Sequence, residues 1–297
     1  MKIEPFRTVN SFLRQIYGQR VQKIPLDAGF TCPNRDGTKG RGGCIYCDAT
    51  GSGTGKGFEK ISIREQMLSG INWAKKRYNA NKYIAYFQSF SNTYHSDIHY
   101  LKDIFTQAFV SEDVVGLSVG TRPDCINEEC LDMLKDISKG RLLFLELGLQ
   151  SASNKTLKHI NRCHTLEDFI YAANFVKSFG FHLCAHIIFG LPGEDIDDMK
   201  KTVLFLRDFH VDGIKFHNLY IHKDTIMEKY YNNGLYTPIN QEDYTDIVAW
   251  SIKELGQDII VHRLTGDPNP DKLIAPSWAL DKGSTIGLIK EKLIKII

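Results

Sequence analysis

Beyond about residue 80, apolar residues alternate between two kinds of segment: short near-continuous runs, and longer stretches with one apolar residue every three to four positions. With Val21–Leu26 ahead of them, the runs are Tyr83–Gln88, Val114–Val119, Leu142–Leu149, His182–Phe189 and Gly213–Tyr220. Such runs suit strands of a parallel sheet, covered on one face by helices and filled on the other. The longer stretches read as amphipathic helices. Ser62 and Glu65 form a capping box ahead of Ile63, Met67, Ile71 and Ala74, which share one helix face. Asp97, Asn127, Thr165 and Asp195 stand where a short polar side chain can accept from the free N–H groups of a helix start. The order is βα repeated. Right-handed crossovers then wind an open sheet or curl it into a full or partial (β/α) barrel, so the fold class is α/β.

The expected divisions are a helical lead-in over 1–20, a core barrel over 21–256 and a C-terminal extension packed on the core over 257–297. Within the extension, Gln257–Leu264 is a candidate strand and Thr265–Pro276 is loop-like. Ser284–Ile297 is helical, with Ile286, Ile289, Leu293 and Ile297 apolar. No G-x-G-x-x-G follows the first strand, which weakens a dinucleotide-binding reading.

Composition narrows the function classes. The 297 residues are 42% hydrophobic and 24% charged, ordinary for a soluble protein. The first residues lack a signal-peptide apolar region and no window approaches a membrane span, so a cytoplasmic protein with no membrane partner is expected. Seven cysteines, an odd and unevenly spaced set, argue for metal or catalytic use over a disulfide framework. A net charge of +2 does not by itself demand a nucleic-acid partner. One local basic group, Lys39, Arg41, Lys56, Lys60 and Arg64, lies on or just after the first cysteines.

Those cysteines are Cys32, Cys44 and Cys47, on a glycine-rich loop after the first strand, where a barrel has its C-terminal mouth. The Cys44-x-x-Cys47 pair can present two thiolates to one metal site, and Cys32 can join them across Gly37, Gly40, Gly42 and Gly43. Three thiolates leave a cubane cluster one iron short of full cysteine ligation. Three cysteines and a histidine also suit a structural zinc site, so residue types alone leave both open.

The loop, with Tyr46 just before the last cysteine, resembles that of the radical S-adenosylmethionine (SAM) superfamily. Four later segments resemble the family in the same order: Ser118–Asp124, Glu146–Ser151, Asn161–Thr165 and Ile188–Glu194. Together they are similar to the branch of the Elongator radical SAM subunit and the oxygen-independent coproporphyrinogen oxidases, above all its YtqA/YhcC-like subgroup. The resemblance covers about Arg7 to Lys282. It implies a partial (β/α)6 TIM-type barrel, a 4Fe-4S cluster on Cys32, Cys44 and Cys47, and SAM cleaved to a 5′-deoxyadenosyl radical. It also implies SAM contacts: Tyr46 beside the adenine, Gln150 on the ribose, Arg162 on the carboxylate, and Gly190, Pro192 and Gly193 bringing backbone to the adenine. Three departures stand out. Gly120 replaces an acidic residue, which leaves a ribose contact either missing or supplied by Glu146; the second strand ends in Gln88 and not Gly-Gly-Glu; and Cys163 replaces a glycine.

The implied substrate is tRNA, modified at the 5-substituent of the wobble uridine, with a flavodoxin or ferredoxin as electron donor. Phe58 and Tyr94 are candidate stacking surfaces. A small metabolite such as a tetrapyrrole, and a zinc-stabilised RNA-binding module, are the alternatives. Arg263, Asp267 and Trp278 are candidates for covering the mouth; Arg263 can bind a phosphate or pair with Asp267. His217 and His222 flank the sixth strand as candidate substrate-facing residues. Cys125 and Cys130 form a C-x4-C that could hold an auxiliary cluster or be buried thiols, and Cys184 reads as core.

Overall fold

A computed structural model describes residues 5–49, 51 and 61–297. Lys56, Phe58 and Lys60 lie outside the described residues. The strands are β1 (Val21–Leu26), β2 (Lys82–Phe87), β3 (Val114–Thr121), β4 (Leu142–Gln150), β5 (His182–Phe189), β6 (Gly213–Asn218), β7 (Ile221–His222), β8 (Ile260–Arg263) and β9 (Leu273–Ala275). The helices are α1 (Val9–Tyr17), α2 (Ile63–Tyr78), α3 (Ile98–Thr106), α4 (Glu128–Ser138), α5 (Asn154–His159), α6 (Leu166–Ser178), α7 (Ile196–Phe209), α8 (Ile226–Asn232), α9 (Gln241–Leu255) and α10 (Lys282–Ile296).

Strands β1 to β6 pair in chain order, all parallel, and β8 joins β6 as the seventh. Each strand beside its predecessor, with a helical crossover between, curls the twisted sheet into a half-barrel. The count is seven where six strands were expected in the barrel. The seventh comes from Gln257–Leu264, whose Ile260 faces inward onto the plug while Val261 joins the core under the helices. The loop-like 265–276 also holds a strand: Leu273–Ala275 pairs antiparallel with β7. Flanking Asp and Pro residues hide so short an apolar run from periodicity.

Helix starts fall where the polar residues put them. Ser62, Asp97, Asn127, Thr165 and Asp195 are N-caps whose side chains accept backbone N–H bonds. The helices cover the outer face through Met67, Phe105, Leu134, Phe169 and Val203. At the N-terminal end of the strands, α1 starts with a Thr8–Ser11 capping box and plugs the barrel. Its Phe12 and Leu13 pack on Val21, Ile84, Val115, Phe144 and Ile260. The Val261 N–H donates to the Arg7 carbonyl at 2.8 Å, so the segment leading into α1 also holds the last strand.

Above the plug the barrel interior is charged. Glu146, fully buried, accepts from Lys23 Nζ (2.8 Å), Ser118 Oγ (2.6 Å), His186 Nε2 (3.0 Å) and Lys215 Nζ. This polar layer is the floor of the mouth.

Candidate active site

The cysteine loop leaves the C-terminal end of β1 and is held by its own backbone. The Pro33 carbonyl accepts from Lys39 and Gly40 N–H, and Cys47 N–H bonds the Cys44 carbonyl at 2.9 Å. Asn34, wholly buried, donates to the Asn161 carbonyl and stands 3.7 Å from Cys44 Sγ. A Cβ at residue 40 would lie 2.2 Å from Asn34 Oδ1, so Gly40 permits this close approach.

Cys32, Cys44 and Cys47 line one cavity of about 150 Å³ together with Tyr46, Gln88, Gln150 and Arg162. Two guanidinium groups face its sulfurs. Arg162 Nη1 is 3.6 Å from Cys44 Sγ, and Arg122 Nη1 is 3.9 Å from Cys32 Sγ. Burial raises the Cys44 thiol, but Arg162 outweighs it and the thiol ends below its ordinary value. Cys47 goes the other way: burial, then the charge on Cys44, push it up to about 12. Among the described residues no three His, Cys, Asp or Glu side chains converge on one ion position. The cysteines line the cavity as separate donors, with N–H groups turned to sulfur, which fits an anionic cluster taking one thiolate per iron.

Arg122 and Arg162 are themselves held in place. Arg122 forms a fork with Asp124 at 2.8 and 3.0 Å, and Lys39 reaches the same carboxylate at 2.7 Å. Burial raises the Asp124 carboxyl, but these cations win and hold it at about 2. Arg162 donates to His164 Nε2 at 2.9 Å and to the Gly148 carbonyl at 2.8 Å. An arginine only donates, so His164 Nε2 is its acceptor and Nδ1–H faces the Thr165 carbonyl at 3.1 Å. Burial and the two guanidinium charges lower His164 to about 3, which keeps that ring neutral.

Gln150 has φ 74°, beside a break in the β4–β5 register. A Cβ at Gly148 would be 2.6 Å from Arg162 Nη2 and 2.8 Å from Gln150 Nε2, so this glycine admits both side chains. Cys163 has φ 56°, a conformation that glycine adopts freely, and its thiol lies 3.4 Å from Asn161 Oδ1, against Gly40. Gly120 turns a bare Cα to β2, where a Cβ would be 3.3 Å from the Phe87 carbonyl.

Several expectations need correction. Glu146 forms part of the cavity floor, but bonds to Lys23, Ser118, His186 and Lys215 occupy its roughly four lone-pair positions, leaving none for a ribose. Among the described residues, Gly190, Pro192 and Gly193 line neither this cavity nor its neighbour; Ile188 lines both. Gly190 has φ 82° and packs under Ile239. Lys39 of the basic group is bound to Asp124, and the Tyr94 hydroxyl is tied to Thr38 at 2.7 Å. Arg41 and Arg64 remain exposed. Trp278 packs on Tyr244 and donates to the Ile239 carbonyl, away from the mouth. Burial raises Cys125 and Cys130 to about 12 each, and Cys184 is buried in β5.

Beyond Tyr46 lies a second cavity of about 510 Å³, and Tyr46, Gln88, His186, Ile188 and His217 line both. Its outer wall carries Asp48, Tyr220, His222, Arg263, Asp267 and Lys272. His222 Nδ1 donates to Asp48 at 3.2 Å. Sequence reading gave no role to Arg122, His164, Lys23, Lys215 or His186. The two lysines and Glu146 did carry a signal: each is a lone charge inside an apolar strand.

Residues 34–206 match the family model described as the radical SAM superfamily, and residues 211–295 match the radical SAM C-terminal domain. The chain belongs to the radical SAM superfamily. Radical SAM proteins bind a 4Fe-4S cluster and SAM, and the cysteine cavity is where this chain offers the donors. YtqA of Bacillus subtilis (strain 168) is 38% identical over 97% of this radical SAM chain and 89% of its own. A Methanocaldococcus jannaschii protein named tRNA uridine(34) acetyltransferase is 29% identical over 46% of the chain and 25% of its own. Among solved structures, Methanocaldococcus infernus Elp3 superposes with a TM-score of 0.73 at 18% identity, over 93% of this chain. The chain spans 63% of that structure, so the likeness is one of fold. Among the described residues no helix is long and apolar enough to cross a membrane.

Proposed function

We propose that this radical SAM enzyme acts on tRNA and remodels the 5-substituent of the wobble uridine. The observation that carries the reading is the continuity of the two cavities. The first has the cysteines; the second opens beneath Tyr46 and, at about 510 Å³, has the size of a small-ligand site. Support for uridine as the substrate comes from the part-length likeness to the protein named tRNA uridine(34) acetyltransferase.

Cys32, Cys44 and Cys47 would hold the cluster, which when bound supplies the electron that cleaves SAM to a 5′-deoxyadenosyl radical. Tyr46 and Ile188 offer the adenine two apolar walls, and Gln150 an amide for the ribose. Arg162 has five N–H donors and uses three, leaving two for the SAM carboxylate. Gln88, at the end of β2, is an acceptor for the amino group. The reducing electron would come from a flavodoxin or ferredoxin. Chromatographic profiling of tRNA nucleosides from a deletion strain tests the reading: a shifted wobble-uridine population is expected, and an unchanged one refutes it.

A further inference from the structure

Among the described residues, His186 is the side chain that hydrogen-bonds the buried Glu146 and lines both cavities. An ionised carboxylate only accepts, so the 3.0 Å contact with Glu146 Oε2 puts the hydrogen on His186 Nε2. Burial, then the charge on Lys215, lowers the ring to about 4, so it is neutral at pH 7. Nδ1 is therefore a lone pair. It has no partner among the described residues, and the side chain is 20% exposed while the carboxylate it grips is fully buried, so the open side of the ring faces the cavities.

What surrounds that lone pair limits what it can accept. The His217 ring lies 6.0 Å away, centroid to centroid. Arg263 lines the same cavity with no hydrogen bond or ion pair among the described residues; Asp267, its expected partner, lies 3.4 Å from Lys282. Lys215 and Arg263 are the cations whose charge reaches the ring, Glu146 is the anion held on its other nitrogen, and Asp48 and Asp267 line the cavity farther along its wall, so at Nδ1 a neutral N–H is favoured over an ammonium. A donor beside an acceptor also suits a ligand edge where carbonyls flank that N–H. The uracil ring has such an edge: carbonyl, N3–H, carbonyl.

Resting on the wobble-uridine reading above, we propose that His186 Nδ1 accepts the uracil N3–H while Arg263 donates to a flanking carbonyl, so that the enzyme reads the imide edge of the base. Glu146 is then a positioning residue, fixing the imidazole tautomer that makes the reading possible.

The test is binding of the reconstituted holoenzyme to two anticodon stem-loop RNAs, carrying uridine or N3-methyluridine at the wobble position. The wild-type protein is expected to bind the methylated RNA roughly tenfold or more weakly, since the methyl removes the donor and leaves Nδ1 unpaired. His186→Gln, whose amide can donate to Glu146 and accept from the base, should keep that discrimination; His186→Leu should lose it. Equal wild-type affinity for both RNAs overturns this inference and leaves the wobble-uridine reading standing, and discrimination retained by His186→Leu overturns the role of His186. Failure of the wild type to bind either RNA removes the substrate reading and this inference with it. Should the Leu variant not fold, the wild-type comparison and loss of discrimination in His186→Ala, which removes the acceptor without adding bulk, decide the matter.

Discussion

Arg162 Nη1 sits 3.6 Å from Cys44 Sγ, on a guanidinium whose other contacts are His164 and the Gly148 carbonyl. One side chain thus ties a cysteine to the end of β4. Arg162→Ala removes a charged donor worth about 1.5–3 kcal/mol. SAM cleavage on reduction is expected to fall at least about tenfold, with Arg162→Lys intermediate because it lacks the planar fork. Deoxyadenosine release, measured by chromatography, checks this.

Cysteine replacement tests Cys32, Cys44 and Cys47 as the proposed ligands against the other thiols. Cys32→Ala, Cys44→Ala and Cys47→Ala should each abolish the visible absorbance and four-iron content after anaerobic reconstitution. Cys125→Ala, Cys130→Ala and Cys163→Ala should leave both intact. Iron and sulfide analysis reads the result; a drop in the Cys125 or Cys130 variant would place a further iron site between β3 and α4.

Glu194 ends the Gly190–Glu194 motif and hydrogen-bonds Ser151. Burial raises its carboxyl from 4.5 to about 7, against the Ser151 and Thr156 hydroxyls that lower it. A carboxyl raised in the fold contributes stability fully present below pH 4.5 and lost as pH rises through about 7. Glu194→Gln should therefore match wild type near pH 4.5 and exceed it at pH 8.5, by at most about 3 kcal/mol. Denaturant titration at the two pH values would show no change in the difference if the carboxyl were unperturbed.

Glu146→Gln leaves Lys23 and Lys215 facing a neutral amide inside the barrel. Removing one partner of a buried charge set typically costs about 3–5 kcal/mol. The melting temperature should drop by several degrees or more, whereas Glu112→Gln, whose carboxylate is exposed beside Arg141, should cost less than about 1 kcal/mol and leave it nearly unchanged.

Leu13→Ala opens a hole in the barrel plug, where Leu13 is 1% exposed. A loss of about 2–5 kcal/mol is expected from chemical denaturation. Val9 is only partly buried against the same cluster, and Val9→Ala should cost less.

Much of this architecture was legible because strands of a covered parallel sheet must be apolar and helix starts must be capped. Ser62, Asp97, Asn127, Thr165 and Asp195 needed only their own chemistry and the run that follows. The strand β9 was not legible: Leu273–Ala275 is too short for periodicity, and it forms only because Ile221 lies opposite. The cysteines were visible from their spacing, but the groups around them were not. That Arg122 would meet Cys32, or that Lys23 and Lys215 would share Glu146, depends on strand register, which one sequence does not display.

Glu146 and Gly190 show the same limit from the other side. A motif says which residues recur, and the fold says which atoms are free. Both oxygens of Glu146 are held by side chains of neighbouring strands, and Gly190 is required by its φ and by Ile239, constraints that the motif alone does not show.

The bond from Val261 to Arg7 joins the beginning of the barrel to its last strand. During synthesis at about 5–20 residues per second, Arg7 leaves the ribosome roughly ten to fifty seconds before Val261 does. Throughout that interval the hydrophobic side of α1, with Phe12 and Leu13, has no Ile260 to close against. The nascent chain therefore carries an open barrel floor until its final strand emerges, a period in which chaperones can reach apolar surface that the finished enzyme hides.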